Sequence, residues 1–168
     1  MQKTDRHRLQ YDKDKNMTNY LEKQQGDVLL YQSADDGEIT VKEGLVLMDG
    51  GLQTAVYISL FGGNERDEGL QDTRFSWWGN LMENESKYLI RSRTQYLIQS
   101  IPAVPYNLSR INDSVKADLK WMEDEGVATI EAVDTVMLAP KRIKIFITLG
   151  ADGSDNKFEY EANWEGSQ

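Results

Sequence analysis

Acidic groups bunched in loops, a pair of adjacent tryptophans and a solitary histidine are the side chains of this sequence that could do chemistry. Glu65, Asp67 and Glu68 surround Arg66 just after an apolar segment. Two carboxylates at a fixed separation hydrolyse glycosidic bonds, one protonating the leaving oxygen while the other activates water or attacks the sugar. The acid of such a pair needs an apolar pocket to keep its proton at neutral pH. A charged run in a loop offers no such pocket, so the expectation is a solvated loop and no enzyme. Asp152-Gly153-Ser154-Asp155-Asn156 and Asp35-Asp36-Gly37 carry some of the oxygens that calcium takes. Both lack alternate-position ligands and a closing bidentate glutamate, so both read as turns. Trp77 and Trp78 could stack on a sugar or a base. Within a long loop, anchoring onto a core or a subunit interface is the role that better fits their large apolar surface.

Composition removes other chemistries. His7 is the only histidine and cysteine is absent from the 168 residues. Histidine catalysis, thiolate nucleophiles, disulfides and His- or Cys-based metal sites are set aside, and no cofactor is expected. No phosphate-cradling glycine loop, nucleophile elbow or HExxH motif occurs. A formal net charge of −9 argues against nucleic acid as a partner, because phosphate contacts need clustered Lys and Arg. No apolar run has membrane-spanning length and the first residues hold no apolar signal core, so no membrane partner is expected.

Elements must position these groups. Residues 1–25 alternate charges without an apolar period and read as a flexible polar arm. Residues 26–168 read as one domain. Asp27–Tyr31 and Glu38–Val41 read as strands joined through Ser33–Gly37, with Leu45–Leu47 extending the second or adding a third. A helix is expected from about Leu52 to Phe61, with Leu52, Ala55, Val56, Ser59 and Leu60 on one face and Gly62-Gly63 as a left-handed cap. Lys87–Ile101 reads as helix, although Tyr88–Ile90 also suits a strand, and Pro102 ends it. Leu108, Ile111, Val115, Leu119 and Met122 recur at steps of three and four, and Gly126 stops that helix. Thereafter the period is two, over Val127–Leu138, Arg142–Leu149 and Lys157–Trp164. The fold class expected is α+β, with an antiparallel sheet from an N-terminal hairpin and three C-terminal strands and three helices in the middle.

Residues 49–61, Asp-Gly-Gly-Leu-Gln-Thr-Ala-Val-Tyr-Ile-Ser-Leu-Phe, precede a charged loop and then Trp77-Trp78-Gly79. This order resembles the small baseplate protein family of Mu-like phages, itself similar to the lysozyme-like small wedge protein of contractile tails. Leu52, Thr54, Ala55, Val56, Ile58, Ser59, Leu60 and Phe61 match its first segment, and Trp77, Trp78 and Gly79 its second. Gly62–Arg66 replaces the usual charged loop, retaining Arg66, while Ser76 and Asn80 replace the flanking Gly and Asp. The Glu-Pro-Arg signature of the wedge relatives is not evident, and the lysozyme label finds no acid pair here.

The resemblance implies a virion protein of the tail baseplate, assembled in the host cytoplasm and present in six copies. It would join other baseplate wedge proteins through helices and start the tail sheath protein by strand addition, with hub or tube proteins as further neighbours. On that reading Trp77, Trp78, Leu108, Ile111, Val115, Leu119, Trp121 and Met122 serve wedge binding or anchoring. The strand pair Arg142–Leu149 and Lys157–Trp164 is the expected sheath edge, with Ile143, Ile145, Ile147, Phe158, Tyr160 and Trp164 as its residues. A carboxylate hydrolase of peptidoglycan and a soluble binding module are the two alternatives from other classes.

Overall fold

Between Asp27 and Asp49, short apolar pieces alternate with turn residues, and such pieces make short strands. They are β1 (Asp27–Val28), β2 (Leu30–Ser33), β3 (Asp36–Ile39), β4 (Val41–Lys42), β5 (Leu45–Val46) and β6 (Met48–Asp49). β1 pairs with β6, β2 with β3 and β4 with β5, each as a two-stranded sheet. Gly44, at φ +80°, makes the turn between Lys42 and Leu45, which face each other across the β4–β5 pair. The computed structural model describes residues 27–33, 36–42, 44–49, 51–63, 80, 82–85 and 89–166. The arm expected over 1–25, the acids Glu65, Asp67 and Glu68, and the pair Trp77 and Trp78 lie outside the described residues. The chain divides into two compact units, Met1–Tyr31 with Glu38–Thr54, and Gln32–Gly37 with Ala55–Gln168.

Helix α1 (Gln53–Phe61) buries Val56, Ser59 and Leu60, three of the five residues expected on its inner face. In its first turn Thr54 donates to Val28 O at 2.6 Å and accepts from Leu30 N at 2.9 Å, fastening the first unit's strands. The glycines after α1 do not form the left-handed cap that was expected. Among the described residues positive φ belongs to Gly44, Gly126 and Gly153, with Lys141 and Asp152. Gly63 is needed for space: a Cβ there would stand 2.9 Å from Ile90 O and 3.1 Å from Ser92 N.

Helix α2 (Arg93–Ser100) starts later than the apolar pattern suggested, because Ser92 is its cap. The Ser92 hydroxyl accepts from Gln95 N and itself donates to Leu60 O. Asp118 reaches across from the next helix and accepts from Arg93 N at 3.0 Å and Thr94 N at 2.8 Å. Its carboxylate therefore satisfies two of the donors that every helix start leaves open. Ile101 takes an extended backbone before Pro102, as the proline ring requires. After a single 3₁₀ turn at Pro105–Asn107, α3 (Leu108–Asp124) buries Ile111, Val115, Leu119 and Met122 completely. Gly126 at φ +69° ends it, as the sequence predicts.

The alternating C-terminal segments form a three-stranded antiparallel sheet in the order β7 (Thr129–Ala139), β8 (Arg142–Ala151), β9 (Ser154–Asn163). Asp152 and Gly153 both take positive φ in the second turn, the requirement of a two-residue hairpin loop. One face carries Ile143, Ile145, Ile147 and Leu149 of β8 beside Phe158 and Tyr160 of β9, all buried. Helix α3 packs along β7 and against α2. The opposite face holds Arg142, Lys144, Phe146 and Thr148, with ion pairs Arg142–Glu161 and Lys144–Glu159 both at 2.7 Å. The architecture is α+β, as expected.

Candidate strand-docking edge

β8 is the middle strand, hydrogen-bonded to β7 on one side and β9 on the other. Arg142–Leu149 therefore offers no edge, because its peptide groups are used on both sides. Of the expected strand pair, β9 alone keeps an outer edge. Its geometry follows from the register: Lys144 stands opposite Glu161, Phe146 opposite Glu159 and Thr148 opposite Lys157. Glu161 directs both its N–H and its C=O away from β8, because both meet a side chain on the far side. Gln32 Oε1 accepts from Glu161 N at 2.8 Å, and Gln32 Nε2 donates to Glu161 O. Peptide groups alternate in direction along an antiparallel strand, so Glu159 and Lys157 point outward in the same way.

Beside that edge runs a groove of about 360 Å³, lined by Gln32, Gly37, Tyr57, Phe61, Gln95, Ile98, Gln99 and residues 161–163 and 165 of β9 and its continuation. Two of its lining residues are aromatic, Tyr57 and Phe61, and they rest on the buried Tyr160. Tyr57, Phe61 and Tyr160 meet with ring centroids 5.4 to 6.0 Å apart. Burial, and then the neighbouring Tyr57, pushes the Tyr160 phenol well above its ordinary value. Its hydroxyl has no hydrogen-bond partner among the described residues, so it contributes packing and no acid–base chemistry near neutral pH. On the outer face of the sheet, the hydrogen bond to Glu159 raises the Lys144 ammonium above the usual lysine range. Beyond β9 the chain is tied down: Trp164 N donates to Lys141 O and Trp164 Nε1 to Ile101 O, both at 2.7 Å.

The expected site residues separate clearly. Ile143, Ile145, Ile147, Phe158, Tyr160 and Trp164 are all core side chains, at most 8 % exposed. An incoming strand would meet the outward peptide groups of Lys157 and Glu159 on β9 and none of these side chains. Ile111, Val115, Leu119 and Met122 are likewise enclosed within the second unit, with Leu108 half-buried. Trp121 differs: it is 43 % exposed, and its Nε1 donates to Ser59 Oγ at 3.0 Å. Ser59 donates onward to Ala55 O at 2.8 Å, so the indole is held in one orientation with a broad apolar side outward. Gln32 and Asn80 were not legible as structural devices. Asn80 bonds both backbone groups of Ile90, at 2.8 and 2.9 Å, in the manner of Gln32 on Glu161. Nothing in a lone amide residue announces which backbone it will meet.

Residues 52–155, from the approach to α1 into the first residues of β9, match the model of a family described as phage protein GP46. The chain belongs to this family. No curated protein and no solved structure matches it. The matched span takes in all three described helices, β7 and β8 of this GP46-family protein. Gln32 and Glu161 both fall outside it. Membership makes the chain a phage protein and points to a structural part of the phage particle.

Proposed function

We propose that this GP46-family protein is a structural component of a contractile tail baseplate, held to wedge partners by its helical side and starting the sheath by strand addition. It works without catalysis and without a cofactor. The outer edge of β9 carries the proposal: a ten-residue strand with one sheet neighbour, its outward peptide groups at Lys157 and Glu159 met by no other strand among the described residues. Such an edge is a template for another chain's backbone. The match to the phage protein GP46 family and the likeness of residues 49–61 and 77–79 to baseplate wedge proteins supply the setting. Trp121, fixed and half exposed on α3, is the anchor proposed for the wedge side.

Deleting residues 157–168 would remove Phe158, Tyr160 and Trp164 from the core, so a point change is the sharper test. Glu159→Pro takes away an outward N–H and leaves the backbone bonds from β9 to β8 in place, losing beside it only the surface ion pair with Lys144. Baseplates carrying this variant are expected to assemble with normal subunit content and to start no sheath, as read by electron microscopy of particles. Full-length sheath on such baseplates would overturn the docking role of β9.

A further inference from the structure

We propose that Gln32 is a removable plug on the outer edge of β9, and that an arriving strand must displace it. The inference rests on the docking reading above and adds its control. In an antiparallel hydrogen-bonded pair, each residue gives its N–H to the other's C=O and accepts the reverse bond. The Gln32 amide reproduces that exchange with Glu161, acceptor to N–H and donor to C=O. It substitutes for one residue of a missing neighbour strand. No other side-chain type supplies both a donor and an acceptor at this spacing except asparagine, whose shorter stem places them elsewhere.

A second contact holds the plug. Gly37, at the other end of the Gln32–Gly37 segment, lies against the Tyr57 ring, where an added Cβ would come within 2.8 Å of the phenol. The plug covers one outward position and leaves those at Glu159 and Lys157 without a strand beside them. An incoming strand can therefore engage β9 from the Lys157 end and complete its ladder only by taking the place of Gln32. Covering an edge in this way is how proteins suppress unwanted strand pairing, and here the cover is a single exchangeable amide.

The test compares the full-length protein with Gln32→Ala and with Gln32→Glu, which keeps an acceptor and loses the donor. Amide hydrogen exchange should show Glu161 protected in the parent, released in Gln32→Ala and intermediate in Gln32→Glu, whose carboxylate can still accept from the Glu161 N–H but repels its C=O, with Ile145 of the central strand unchanged. The purified tail sheath protein of the same phage is then titrated in. Gln32→Ala should bind it at least about fivefold more tightly than the parent, since the competitor for the edge is gone, with Gln32→Glu between the two. Equal binding by parent and variants would overturn the plug while leaving the docking edge standing. Absence of binding to any of the three would overturn the docking reading, and the gating role with it. Dimerisation of Gln32→Ala in the absence of sheath protein would assign the edge to a second copy and overturn the sheath as the strand that Gln32 holds off.

Discussion

In the first unit β4 and β5 pair over two residues each, and Ile39, Val41, Leu45 and Val46 remain 40–62 % exposed. In the second, β8 is paired along its length on both sides, and Ile143, Ile145, Ile147 and Leu149 are at most 2 % exposed. The residue types are the same, branched aliphatics with polar neighbours. Strand length and cover make the difference. A ten-residue central strand under helices buries an entire face, whereas a two-residue pair on a tight turn can bury neither. Stability should therefore reside in the second unit, and aliphatic residues of the first unit's hairpins should be replaceable.

The largest contrast is between Trp164 and Val41. Trp164→Ala empties a fully enclosed site and leaves Ile101 O without its donor. It should lower unfolding free energy by about 3–5 kcal/mol, while Val41→Thr should stay within about 0.5 kcal/mol, both read by urea titration. A large loss at Val41 would show that the exposed hairpin carries stability of its own. Asp118 comes next. Asp118→Ala removes the acceptor for Arg93 N and Thr94 N and should cost about 1–2 kcal/mol, with the amides of the first turn of α2 exchanging faster. An unchanged exchange rate at Thr94 would mean that Ser92 alone suffices as the cap.

The smallest effect is pH-dependent. The backbone bond from Ile130, and then Lys120, hold the Glu123 carboxyl below its usual value. A group with a depressed folded-state value stabilises above its unfolded value and loses that contribution as pH falls through the folded one. Protection of the Ile130 amide should thus be full above about pH 5 and decline below the ordinary glutamate range, near 4.3. Glu123→Gln should make it nearly insensitive to pH over that interval.

What was legible in the sequence follows the same division. Ile111, Val115, Leu119 and Met122 and the alternation in β8 were readable because one-sided burial imposes a period on the chain. The N-terminal strands were placed only roughly, since pieces of two to four residues carry too little period to fix their limits. The start of α2 was set by Ser92 and Asp118, a cap assembled partly from 24 residues or more away, beyond what local pattern can display. At the candidate site, alternation in the two last strands was visible but their spatial order was not. Which of the two strands keeps a free edge depends on β7 pairing with β8, and the sequence pattern of β8 is the same whether or not β9 is the outermost strand.

The turns at Pro140-Lys141 and Asp152-Gly153 have a consequence for the order of folding. They join β7 to β8 and β8 to β9 with the shortest of connections, so every pairing in the sheet is between strands adjacent in sequence. Contacts of this kind close small loops and form early. The bond from Gln32 to Glu161 closes a loop of 129 residues, with an entropic penalty that grows with the logarithm of loop length. The sheet should therefore be complete before its edge is covered, and each newly folding molecule passes through an interval in which β9 is open to whatever strand lies nearest.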